Sequence, residues 1–508
     1  MKAFLLFRDR DFDLEQKLPW CAQTLAPDLA LEILFGGMAN GDEFLFSIAN
    51  KVILGSLGND ADTIRYRQSI LKDCLKNSAI VRELYALAIE GIQCERKCSW
   101  GIFSKYPAGI LGRAIELLGY LIEVLKKYRT VAEQSAGKFE SVGFKSLFAT
   151  LRAELSDDYF ATVHGHLKEL KFRAGVLISA ELSQGNKGKH YVLREPLKRQ
   201  HWFVAWLQHV FGIREPGYTF FLDPRDENGA RALSELNERG INLVANALAQ
   251  STDHIVNFFK MLKTELGFYM GCLNLEERLA KKGEPTCFPE PVAESQRKQS
   301  ARGLYDACLS LCLQERVVGN DVNANGKDLV IITGANQGGK STFLRSIGLA
   351  QLMMQAGMFV SAESFSANIC SNLFTHYKRE EDASMKSGKF DEELKRMSEI
   401  VDHLTPNSTL LFNESFAATN EREGSEIAGQ IVSTLLNKGF KVFFVTHQYT
   451  FASGFHAKKR ENTLFLRAGR ESDGTRTFRL NEAEPLETSY GEDLYIRIFG
   501  EQSRVDSP

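Results

Sequence analysis

The chain has 508 residues, 44% of them hydrophobic and 25% charged, with a formal net charge of −2. This is the composition of a folded protein of about two to four domains. It excludes a disordered chain and a globally basic nucleic-acid coat, and no run of about 18 apolar residues is present to form a membrane-spanning helix. Nine cysteines include two i,i+4 pairs, Cys94/Cys98 and Cys308/Cys312. Neither pair has a nearby histidine or a second pair at zinc spacing, so reduced thiols on helix faces are expected rather than disulfides or a metal site.

The N-terminal Met1–Arg10 joins a short apolar run to early charge, unlike a secretory signal, and predicts a cytoplasmic protein. Roughly the first 300 residues read as mainly helical. Ser78–Ile92 and Ile110–Tyr128 carry apolar residues at three- and four-residue steps. Val176–Leu182 and His190–Leu193 are strand-like and flank a polar loop. Lys187, Lys189, Arg194, Lys198 and Arg199 cluster there with Tyr191 and Trp202, as either a phosphate-contacting tip or a solvated loop. Next comes a seam of Ile241, Val244, Leu248, Ile255, Phe259, Leu262, Leu266, Tyr269 and Leu273. One helix over Ala230–Leu279 would run roughly 75 Å, as an arm or lever. The alternative is two shorter helices broken near Gly240 or Ser251. Gly283–Pro291, with three prolines, marks a boundary, and strands alternate with helices after it.

The chemistry concentrates in that last part. Leu329–Ile332 is a β-branched run feeding Gly334-Ala335-Asn336-Gln337-Gly338-Gly339-Lys340-Ser341-Thr342, which fits GxxxxGK[ST]. Backbone N–H groups surround a triphosphate only where no side chain blocks the approach, hence the glycines. A helix beginning near Lys340 adds the positive end of its dipole. Lys340 is expected to neutralise the β- and γ-phosphates, and the Ser341 hydroxyl to bind Mg²⁺. A second strand, Ser408–Phe412, ends in Asn413-Glu414. The usual acidic pair there orders the metal shell and polarises water. Asn413 is neutral, so weaker Mg²⁺ binding is expected, with Glu414 as the water-activating base. A third strand, Lys441–Val445, leads to His447, where ABC-class ATPases keep a histidine that reaches the γ-phosphate.

Taken together, Thr333–Arg345, Gly357–Val360, Leu410–Glu414, Val445–His447 and Thr488–Gly491 resemble the ATPase domain of the MutS family of DNA mismatch-repair proteins. The family's phosphate loop has Pro and Met where this chain has Ala335 and Gln337, and Ser489-Tyr490-Gly491 is a mark that generic ABC ATPases lack. Ile64–Leu71 and Phe268-Tyr269 resemble parts of the family's core and lever. The resemblance implies an α/β ABC-type P-loop ATPase domain over 291–508. It would be preceded by a mainly α-helical core and lever over 1–290, with a short clamp-like insertion near 151–224. It implies ATP and Mg²⁺ as ligands, Glu414 and His447 as catalytic residues, DNA as partner, and a homodimer whose sites close across two subunits. Ser387, within Ser384–Phe390, would complete the partner's site. The departures are Asn413, which replaces the family's Asp, and the roughly 40 residues before the core-like region, too few for the family's mismatch-sensing domain. The resemblance therefore does not extend to mismatch-specific binding. A second reading makes Asn413 the mark of a nucleotide-gated binding protein with little hydrolysis. A chromosome-maintenance ATPase with coiled-coil arms would need arms far longer than ~75 Å.

Overall fold

The computed structural model describes residues 1–97, 106–172, 175–184, 188–194, 222–223, 225–379 and 388–487. Lys187, Lys198, Arg199, Trp202, Ser387 and Thr488–Gly491 lie outside them. Helices come first: α1 (Ala22–Asp28), α2 (Leu31–Ala39), α3 (Glu43–Leu54), α4 (Ala61–Lys76), α5 (Ser78–Lys97), α6 (Pro107–Ser135), α7 (Val142–Glu154) and α8 (Asp157–Glu169). Their starts follow local chemistry. Asp42 caps α3 by accepting from the Phe44 and Leu45 amides, and Asp60 caps α4 through the Thr63 amide. Pro107 opens α6, where a missing N–H costs nothing. The chain forms two compact units interleaved in sequence, one of Met1–Ala3, Glu83–Gly137 and Ser146–Lys263, the other of Phe4–Arg82, Lys138–Lys145 and Thr264–Pro508.

In the first unit the two strand-like runs pair as an antiparallel hairpin, β1 (Leu177–Leu182) and β2 (Gly188–Arg194). The apolar seam lies on one helix, α9 (Glu227–Lys281), of 55 residues and roughly 82 Å. The break that the two-helix alternative places near Gly240 or Ser251 does not occur. A Cβ on Gly240 would lie 2.3 Å from Cδ1 at the end of the Ile178 side chain of β1, which would have to shift. Ser251 turns its hydroxyl back onto the Ala247 carbonyl and stays helical. Tyr128 of α6 stacks on Phe259 of α9 at 5.7 Å between ring centroids. Gly91 of α5 lets Phe259 in, since a Cβ there would lie 2.3 Å from the ring.

The second unit holds the sheets. The strands are β3 (Glu290–Val292), β4 (Gln299–Leu304), β5 (Asn320–Asn323), β6 (Leu329–Gly334), β7 (Ser364–Asn368), β8 (Leu373–Tyr377), β9 (Thr409–Asn413), β10 (Lys441–Val445), β11 (Thr463–Arg470) and β12 (Arg476–Glu482). The helices among them are α10 (Ala307–Cys312), α11 (Lys340–Gln355), α12 (Lys389–His403), α13 (Glu421–Asn437) and α14 (Tyr449–Ala457). One sheet has the order β12-β11-β6-β10-β9-β8, with all neighbours parallel except β12; the other has the order β3-β7-β4-β5. β6 is buried along its whole length, as a parallel strand covered on both faces must be. Val445 pairs with both Ile332 and Asn413, so the carboxyl ends of β6, β9 and β10 lie side by side.

One segment has no regular structure, yet it is firmly held. The Tyr66 hydroxyl donates to the Phe4 carbonyl at 2.6 Å, Arg67 Nε to that of Leu6 at 2.8 Å, and the Tyr269 hydroxyl to that of Leu5 at 2.6 Å. The buried Glu265 carboxylate accepts from the Leu5 and Phe12 amides at 2.5 and 3.1 Å. Side chains of α4 and α9 thus satisfy the backbone that a helix or sheet would otherwise satisfy. The architecture is a helical N-terminal part followed by α/β sheets. No helix among the described residues is long and apolar enough to cross a membrane.

Candidate nucleotide-binding site

β6 ends at Gly334, whose φ of +102° is a left-handed conformation that glycine adopts without strain. Its absent side chain has a second reason. A Cβ there would lie 2.8 Å from the Ala468 amide nitrogen of β11, and one on Gly338 would lie 2.8 Å from the Ala468 methyl. These two glycines are required by the neighbouring strand as well as by any phosphate. Gly339, at φ +88°, turns the chain into α11, leaving the first amides of that helix without helical partners. Lys340 is buried, and Nζ donates to the Gly334 and Ala335 carbonyls at 2.9 and 3.0 Å. Burial lowers its pKa from the usual lysine value.

The next strands bring the other groups. Ser341 Oγ donates to Asn413 Oδ1 at 2.9 Å. Glu414, the residue after β9, has φ +53°, and its amide donates to the Val445 carbonyl at 2.9 Å. Its carboxylate lies 3.9 Å from His447 Nδ1, an ion-pair distance rather than a hydrogen bond. The interaction with His447, aided by Lys340, holds the carboxyl below the usual glutamate range despite partial burial.

These groups border a cavity of about 570 Å³, whose wall includes Asn336–Thr342 and Glu414. Ala335, Asn413 and His447 are not on that wall; Ala335 is buried and reaches Lys340 through its carbonyl. The far wall comes from residues that carry no motif: Tyr305, Leu313, Arg316, Val318, Asn320 and Phe478. Among the described residues the buried Tyr305 hydroxyl has no hydrogen-bond partner. Phe478 is a half-exposed aromatic at φ +57°, and Asn320 fixes it by donating to its carbonyl at 3.1 Å and accepting from the Leu480 amide at 2.7 Å. Arg476 donates to the Asn336 carbonyl at 3.1 Å, tying β12 to the loop.

Two family descriptions match the sequence: the MutS2 N-terminal domain over residues 59–282 and MutS domain V over residues 330–495. The chain belongs to the MutS family. The MutS domain V match takes in the glycine loop, β9 and β10 of this P-loop ATPase domain, whereas Tyr305, Arg316, Val318 and Asn320 fall between the two matches. Among MutS relatives, endonuclease MutS2 of Lacticaseibacillus casei (strain BL23) is 30% identical over 242 residues, 46% of this chain and 29% of that protein. Mouse MutS protein homolog 4 is 28% identical over 228 residues, 44% of this chain and 22% of the relative. DNA mismatch repair protein MutS of Thermotoga sp. (strain RQ2) is 36% identical over 134 residues, 26% of this chain and 17% of that protein. The chain thus spans less than a third of the length of each of these MutS relatives.

The basic hairpin belongs to the other unit. Lys189 Nζ lies 3.8 Å and His190 Nδ1 2.8 Å from the Glu181 carboxylate, and Arg194 Nε donates to Ser179 Oγ at 2.9 Å. Arg239 lies over the Tyr191 ring at 5.8 Å. Of the basic residues read there from sequence, Lys189 and Arg194 are described, both with cross-strand partners.

Proposed function

We propose that the chain is an ATP-binding and ATP-hydrolysing MutS-family protein of the ABC type. It acts as a homodimer in DNA repair or mismatch-repair-related processing, with nucleotide state governing DNA binding. The observation that carries this reading is the convergence of Lys340, Ser341, Asn413 and Glu414 at one sheet end. The cavity of about 570 Å³ beside them is of the size that holds a nucleotide.

In this reading the loop amides and the α11 N-terminus take the phosphates, and Lys340 exchanges its two carbonyl partners for them. Phe478 offers a face for the base and Tyr305 an unpaired hydroxyl. Ser341 and Asn413 present oxygens 2.9 Å apart, a donor set that fits Mg²⁺, with Asn413 acting through water and adding no charge. Mg²⁺ held there would neutralise phosphate charge. Glu414 stays ionised at neutral pH because its pKa is lowered, so it orients water and draws its proton. His447, which is not on the cavity wall, senses the γ-phosphate through Glu414, 3.9 Å away. Ser387 completes the site of a second copy.

In this reading residues 1–290 serve as core and lever, with 151–224 as clamp, and 291–508 as ATPase. Lys187, Lys189, Arg194, Lys198 and Arg199 contact DNA phosphates. The mismatch-repair and endonuclease names of the relatives support a DNA partner.

The test is steady-state phosphate release with and without duplex, mismatched and branched DNA, with Lys340→Ala as blank. Turnover above the blank, changed by one DNA structure, is expected and identifies the substrate. Release equal to the blank while ATP still binds would overturn hydrolysis.

A further inference from the structure

The turn that carries Glu414 is unusual. Glu414 and Phe416 both have positive φ, +53° and +61°, although neither is glycine. Such conformations persist only where the surroundings over-determine them. Side chains grip the turn from more than one side, among them the Glu393 carboxylate, which meets the backbone at Phe416 and Ala418. On one side, Gln448 Nε2 donates to the Phe416 carbonyl at 3.0 Å. Gly424 allows that carbonyl in, since a Cβ would lie 2.3 Å from its oxygen.

On the other side is His376 of β8, a buried histidine with no place in the motifs. Its Nδ1 lies 2.8 Å from Ser415 Oγ, which also lies 2.5 Å from the His376 carbonyl; with the ring proton on Nε2, facing a carbonyl that only accepts, the single Ser415 hydroxyl proton is shared between Nδ1 and that carbonyl. Nε2 lies 3.0 Å from the Glu393 carbonyl of α12, and the ring stacks on Phe416 at 5.1 Å. Burial, reinforced by Arg396 and Arg379, pushes the imidazole down to about 4, so the ring is neutral at working pH. A neutral ring carries one proton, so its two nitrogens play different parts.

We propose that His376 is a positioning residue for ATP hydrolysis. Its Nδ1 contact with Ser415 holds the residue after Glu414 and so keeps the Glu414 carboxylate turned toward His447 and the cavity. The inference rests on the reading of Glu414 as the water-activating base. It adds a residue from a strand outside the nucleotide motifs. Without the anchor, Glu414 can relax to negative φ, and its carboxylate leaves the line of attack while the phosphate loop is untouched.

The two amides that replace histidine separate this role from packing. In His376→Asn the amide reaches the Nδ1 position and keeps a partner for Ser415. In His376→Gln it reaches the Nε2 position and keeps only Glu393. Ser415→Ala removes the same contact from the other side with little change of volume. The experiment measures kcat for ATP, with Lys340→Ala as blank, and the Kd of a fluorescent ADP analogue. It also follows hydrogen exchange at the Glu414 amide. His376→Gln and Ser415→Ala should each lower kcat by at least about ten-fold, with Kd changed less than about two-fold. Both should speed exchange at Glu414, and His376→Asn should stay near the parent in all three. Equal losses in the Asn and Gln variants, or parent-like kcat and exchange in Ser415→Ala, would overturn the proposal. If the parent itself does not exceed the blank, it is the hydrolysis reading that fails. The exchange at Glu414 then decides alone whether His376 and Ser415 hold the turn.

Discussion

At the scale of single residues, Asn413 departs most from what nucleotide chemistry asks. Its side chain accepts from Ser341 Oγ at 2.9 Å, so an oxygen stands where a metal shell needs one, without the charge. Asn413→Asp should lower the Mg²⁺ concentration for half-maximal ATP turnover by roughly ten-fold. A Mg²⁺ titration at fixed ATP reads this directly, and an unchanged midpoint would separate Asn413 from the metal. The glycine loop, Lys340 and Ser341 were readable because they are contiguous and their spacing is itself the chemistry. Tyr305, Asn320 and Phe478 were not, because nothing near any of them in sequence marks a cavity wall. His376 was hidden for a related reason: a lone histidine in an apolar strand has no partner until β8 lies beside β9.

Among the elements, the helices follow from periodicity and capping, and α9 carries the whole apolar seam on one unbroken helix. The held segment Phe4–Phe12 follows from neither. Its backbone bonds go to Tyr66 and Arg67, about 60 residues away, and to Glu265 and Tyr269, about 260 residues away, and no local pattern reports them. Burial raises the Glu265 carboxyl to about 7, against the opposing pull of the Leu5 and Phe12 amides. The unfolded chain releases this proton near the ordinary value of 4.5, whereas the folded chain keeps it to about 7. Across that window the unfolded state binds fewer protons, so stability falls as pH rises and levels off above it. The loss from this group is about 3 kcal/mol. Glu265→Gln should therefore flatten the fall in urea midpoint between about pH 5 and pH 8 relative to the parent. Parallel pH curves for the two proteins would contradict the assignment.

For the whole molecule, a net charge of −2 leaves the proposed DNA contact to local patches. Lys189→Ala and Arg194→Ala, in the hairpin, should each reduce the slope of log K against log salt by about one if each meets a phosphate. Binding isotherms across a salt series measure it, and an unchanged slope would return the hairpin to the solvated-loop reading. The sequence by itself determined the strand–loop–helix of the phosphate site, the switch from helical to α/β texture after Pro291, and the single apolar seam of α9. Each is fixed by spacing over a few turns or strands, where covalent geometry and period dictate the result. Only the tertiary structure decided that Ala468 forbids side chains at Gly334 and Gly338, that Phe478 and Tyr305 close the cavity, and that His376 and Gln448 grip the Glu414 turn. It also decided how the chain divides, since residues Phe4–Arg82 join the sheets while Glu83–Gly137 do not. Those outcomes depend on contacts between residues far apart in the chain, and the burial that makes such contacts favourable exists only once the strands and helices have come together.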